Sequence, residues 1–123
     1  MSIVAQPRWS PRRIARILFL LVALAVSILS LLPERDLPKV GVSDKLEHLL
    51  SYFVLAVLGG FAFRGWRSLL LLFVLLCAMG GLIELLQAFS PGRSPDIVDA
   101  LADGAGAAAG VLIGAAVARL RRS

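Results

Sequence analysis

The sequence has little of what makes small domains soluble or cross-linked. Only 17% of its 123 residues are charged while 59% are hydrophobic, which excludes an ordinary water-soluble domain. The one cysteine, Cys77, excludes an intramolecular disulfide in any compartment. One histidine, His48, and the lack of a compact ligand motif argue against zinc, so no metal and no cofactor are expected. Neither the glycine pattern of a dinucleotide site nor a P-loop lysine is present, and nucleotide binding is discarded. The apolar residues do not alternate with polar ones, which argues against a barrel.

What the chain does have is long apolar runs separated by short polar segments. A bilayer core of roughly 30 Å takes about 20 helical residues to cross, and four runs of that size fit, at about 14–32, 46–63, 68–89 and 97–118. A spanning helix satisfies its own backbone hydrogen bonds. The expectation is an all-α fold, a bundle of four transmembrane helices forming a single membrane domain over residues 1–123. Arg8, Arg12, Arg13 and Arg16 ahead of the first run resemble the start of a secretory signal. That run is longer than a signal core, however, and ends in Leu31-Leu32-Pro33-Glu34 rather than a small-residue cleavage site, so it is expected to be retained.

The formal net charge of +5 is explained by topology rather than by nucleic acid. With four alternating spans, one side carries Arg8, Arg12, Arg13, Arg16, Arg64, Arg67, Arg119, Arg121 and Arg122, and the other only Arg35, Lys39, Lys45 and Arg93. Because basic residues stay preferentially in the cytoplasm, both termini are expected there. The acids Glu34, Asp36, Asp44, Glu47, Glu84, Asp96, Asp99 and Asp103 all fall on the opposite, outer side or in the outer part of a span. No acid lies in the inner half, which disfavours a proton or ion pathway.

Three helices carry polar faces. In the second, Lys45, His48, Tyr52 and Gly59 share a face, after an N-cap expected at Ser43 or Asp44. Interfacial anchoring is the plainer reading of His48 and Tyr52. In the third, Glu84 lies roughly 8 Å below the outer end at about 1.5 Å per residue, with Gln87, Cys77 and Gly80 on its stripe. An acid there needs a protein partner, whether as a helix tie or as a functional group. In the fourth, Asp96, Asp99 and Asp103 lead into Gly106, Gly110 and Gly114 on one slowly drifting face. The glycines are expected to pack helices, within the chain or between copies, since small residues let backbones approach where lipid gives no hydrophobic drive. Arg93, in the tight Ser90-Pro91-Gly92-Arg93-Ser94-Pro95 turn, presents a planar fork suited to a carboxylate or a phosphate.

Taken in order, Asp44-Lys45-x-x-His48-x-x-x-Tyr52, Glu84-x-x-Gln87, Pro91-Gly92-Arg93, Asp99 and Gly106-x-x-x-Gly110 resemble the VanZ-like family over residues 44–110. The chain departs from the family pattern at Asp103, where that pattern prefers asparagine. The resemblance implies a multi-pass protein of the bacterial cytoplasmic (inner) membrane and cell envelope, in a family whose founding member is associated with resistance to the glycopeptide teicoplanin. It implies no known reaction.

Three functions remain open. The first is binding of membrane lipids or a lipid-linked cell-wall precursor by Asp44, Lys45, His48, Tyr52, Glu84, Gln87, Arg93, Asp99 and Asp103, with Arg93 and Lys45 on the headgroup. The second is an enzyme acting on such a lipid, with His48 as general base and Glu84, Asp99 or Asp103 orienting it. The third is a structural or assembly protein whose polar network fixes helix register, in which a homo-oligomer could form on the glycine face.

Overall fold

A computed structural model describes residues 9–37, 41, 43–92 and 94–122. Its helices are α1 (Pro11–Leu31), α2 (Asp44–Ala62), α3 (Trp66–Gln87) and α4 (Ile97–Arg122), with a short 3-10 turn at Glu34–Asp36 between the first two. No strand occurs among the described residues. All four helices are long and apolar enough to cross a membrane, so the chain is an all-α, multi-pass membrane protein.

Local chemistry sets the boundaries. Ser10 caps α1 by accepting the Arg13 N–H at 3.1 Å, and Pro11 occupies a first-turn position where its missing N–H costs nothing. The helix stops before Pro33, which pushes Leu32 into the extended conformation (ψ 149°). Ser43, one of the two expected caps, starts α2 by accepting the Leu46 N–H at 3.3 Å. The short link to α3 turns on Gly65, whose φ of 85° disfavours any residue with a Cβ. Helix α4 runs past the expected end at 118 to Arg122. Apolarity ends there but helicity does not, because arginine and leucine are good helix formers and no breaker follows Ala118.

The tightest crossing is between α2 and α4. A methyl group at Gly106, Gly110 or Gly114 would collide with the carbonyl oxygen of Leu49, Phe53 or Val57, respectively. From the other side, a Cβ at Gly60 would sit 2.8 Å from the Val111 carbonyl. Backbone therefore lies on backbone, which maximises dispersion contact. The glycine face is thus covered by α2 of the same chain. Tyr52, Leu55, Ala56, Leu72, Leu76, Ala107 and Val111 form the core beside it. Helix α1 is peripheral, with only Ala15 buried. Leu20, Leu24, Leu71, Leu75 and Leu112 stand exposed around the bundle, a surface that water penalises and hydrocarbon accepts.

The connections place the C-terminal ends of α1 and α3 beside the N-terminal ends of α2 and α4. Gln87 Nε2 donates to the Ser30 carbonyl at 2.9 Å and Ser90 Oγ to the Leu31 carbonyl at 3.1 Å, which tie α1 and α3 together at this end. The opposite end gathers arginines on aromatic rings: Arg13 over Trp9, Arg16 over Phe63, Arg67 over Trp66 and Arg121 over Phe61. Arg16 also donates to the Ala62 carbonyl, which marks where α1 meets the end of α2.

Candidate functional site

The acidic end of the bundle brings side chains of α2, α3 and α4 into one cluster. Its centre is His48 of α2, whose Nδ1 lies 2.7 Å from Asp103 Oδ1 of α4 while Nε2 lies 3.8 Å from Asp99 Oδ2. The 2.7 Å separation is a short hydrogen bond between the ring nitrogen and the carboxyl group. Asp103 is 2% exposed, at the foot of the cluster. Gly80 of α3 makes room for it, since a Cβ there would sit 2.8 Å from Asp103 Oδ2. The serial order glutamate, glycine and cysteine along α3 thus has a spatial meaning: Glu84 and Gly80 face the acids of α4, and Cys77 faces Gly104 below them.

Toward the rim, Lys45 Nζ lies 3.3 Å from Asp96 Oδ2 and 3.7 Å from Asp99 Oδ1, bridging the start of α2 to the start of α4. Asp96 is also the cap of α4: its Oδ1 accepts the Val98 N–H at 2.9 Å, and its own N–H donates to Glu84 Oε1 at 2.6 Å. The Val98 N–H, and then Lys45, hold the Asp96 carboxyl below its usual pKa of 3.8. Glu84 therefore anchors the beginning of the next helix, and one of its oxygens is committed to that role. The other, Oε2, is buried without a hydrogen-bond partner, as are Tyr52 Oη and Asp99 Oδ1, the last with only the Lys45 ion pair nearby.

The residues expected from the sequence distribute unevenly. Tyr52, Glu84, Asp99 and Asp103 are buried, the half-buried His48 sits among them, and Lys45 closes the rim. Gln87 is buried but directed at α1 through Ser30. Asp44 stands exposed in the first turn of α2, and the cluster's ion pairs do not include it. Arg93 lies outside the described residues. Asp96 belongs to the cluster but was not among the expected ligand residues. Its signal in the sequence is an acid at the N-cap position, with Asp99 and Asp103 at three and seven residues beyond.

The arrangement is rich in acceptors. Glu84, Asp96, Asp99 and Asp103 share one lysine and one histidine, so it suits hydrogen-bond donors or a cation better than a bare anion. Along the sequence no compact motif points to a metal. Tertiary structure supplies the compactness instead: ligand atoms of His48, Glu84 and Asp103, from three helices, lie within 4.8 Å of one another.

Comparison with curated proteins gives no match, and comparison with solved structures gives none. The family model described as VanZ/LLP1 matches residues 10–118, from the cap of α1 to the last turns of α4. With that match over most of its length and four helices able to span a membrane, the chain belongs to the VanZ/LLP1 family.

Proposed function

We propose that this protein binds an envelope lipid or a lipid-linked cell-wall precursor at the acidic end of the bundle, in the cytoplasmic membrane of a bacterium. The observation that carries the reading is the set of buried polar atoms without hydrogen-bond partners, Tyr52 Oη, Glu84 Oε2 and Asp99 Oδ1, gathered around the His48–Asp103 pair at one end of the bundle. Buried polar groups are nearly always hydrogen-bonded, so such a set at helix ends is a place for the hydroxyl or ammonium donors of a headgroup. Lys45, exposed at the rim, is one cation for the headgroup phosphate, and Arg93, which lies between α3 and α4 in the sequence, is proposed as the other. The association of the family's founding member with teicoplanin resistance supports extending the proposal to altered sensitivity to that glycopeptide.

Native mass spectrometry of the detergent-purified protein tests the reading. Wild type retains a specific envelope lipid; Arg93→Ala and Lys45→Ala lose it in a salt-sensitive manner, because each removes a positive charge proposed to engage the phosphate. Equal retention by both variants refutes the assignment.

The His48–Asp103 hydrogen bond favours a second reading, an enzyme acting on the same lipid. A carboxylate that orients an imidazole is the usual support of a general base. In that case His48→Ala abolishes turnover of the retained lipid while the protein stays abundant and folded.

A further inference from the structure

We propose that His48, Glu84 and Asp103 form a binding site for one divalent transition-metal ion, with zinc as the ion to test first. The three side chains come from α2, α3 and α4, and their ligand atoms lie within 4.8 Å of one another. Zinc holds imidazole nitrogen and carboxylate oxygen at about 2.0–2.2 Å, which puts donors roughly 3.4 Å apart in a tetrahedral site. Closing from the widest separation takes a shift of up to about 1.4 Å, within the reach of the flexible glutamate side chain.

A second observation points to a ligand independently of that proximity. Glu84 is 6% exposed, and its Oε2 has no hydrogen-bond partner although Oε1 is held by the Asp96 N–H. Tyr52, 2% exposed, ends in a hydroxyl that is also unpartnered and within electrostatic reach of Asp103 and Glu84. A buried carboxylate oxygen with nothing to bond is costly, and a cation beside it removes that cost.

Charge and donor type agree. Two carboxylates and a neutral imidazole carry two negative charges, which a divalent ion cancels, and neutrality is what a low-dielectric site at membrane depth requires. The imidazole selects a transition ion over magnesium or calcium, and the lack of a thiolate in the set disfavours copper(I). Asp99 Oδ2 lies 3.8 Å from His48 Nε2, with Lys45 on its other oxygen, and so stands beside the imidazole as an outer partner. Three protein donors leave a coordination position for water or a headgroup oxygen. The metal site does not depend on the lipid reading: it stands if no lipid is retained.

The test uses the full chain without a histidine tag, purified in detergent, stripped with a chelator and titrated with zinc against a chromophoric competitor. Wild type takes up one zinc per chain. His48→Ala, Glu84→Gln and Asp103→Asn each weaken binding by at least about tenfold, and circular dichroism verifies that each variant keeps its helices. Cys77→Ser and Gly81→Ala bind as wild type does. X-ray absorption of the zinc-loaded wild type reports nitrogen and oxygen neighbours with imidazole scattering and no sulfur, which keeps the proposal testable if a variant fails to fold. Unchanged affinity in folded variants, sulfur in the first shell, or a helical wild type that takes up no zinc overturns the proposal.

Discussion

Replacing Gly106 by alanine tests the contact that holds the bundle together. The added methyl points into the Leu49 carbonyl, with the backbone nitrogen of Phe53 3.1 Å away. Neither partner is a side chain that can rotate aside. Helices α2 and α4 must therefore move apart by about 1 Å at this level, loosening the neighbouring Gly110 and Gly114 contacts as well. Overpacking of this kind costs typically 1–3 kcal/mol, while alanine recovers up to about 1 kcal/mol of helix propensity. The net loss is about 1–2 kcal/mol, or roughly 5- to 30-fold in the unfolding equilibrium constant. Gly81→Ala in α3 is the control: its Cβ meets nothing within 4 Å, so it gains propensity without collision. Unfolding in mixed micelles with increasing denaturing detergent, followed by helical circular dichroism, gives both values. The reasoning is refuted if Gly106→Ala is as stable as wild type, or if Gly81→Ala loses as much.

Asp103 is buried and His48 half-buried, and leaving a buried group without its hydrogen-bond partner costs about 1–3 kcal/mol. His48→Ala and Asp103→Leu are thus each destabilising, and the double variant is less so than their sum. A double-mutant cycle in the same micelle assay measures the difference, and strict additivity would mean the two side chains are not coupled. The Asp96 carboxyl, held below its usual value, contributes stabilisation that is fully present above the ordinary carboxylate range and is lost as pH falls through its lowered pKa. Lys45→Ala moves that titration upward but not fully back, because the Val98 N–H remains; carbon-detected NMR of the labelled carboxyl reads both shifts. From the arginine distribution, fusions of a fluorescent reporter to either end fluoresce in the cytoplasm and alkaline-phosphatase fusions there stay inactive. The reverse pattern would invert the bundle.

The four spans were legible in the sequence because hydrophobicity is additive along a chain, and an apolar run of some 20 residues with few charges matches the thickness of a bilayer core. Their ends were readable to within a few residues where a local signal was read, as at Ser43 and Pro33. The end of α4 was not, because apolarity stops before helicity does. The polar faces of α2, α3 and α4 were likewise visible as spacings, since residues three, four and seven apart share a side of a helix.

What no spacing states is the rotation of one helix against another. Only the tertiary structure decided that the glycines of α4 meet the carbonyls of α2 in the same chain, that His48 pairs with Asp103 while Gln87 turns away to α1, and that Glu84 reaches the N–H of Asp96 across a turn. The physical reason is that periodicity fixes which residues share a face, whereas the partner of that face follows from close packing of all four helices at once. Hence His48, Glu84 and Asp103, separate in sequence and lacking any ligand motif, become one compact donor set.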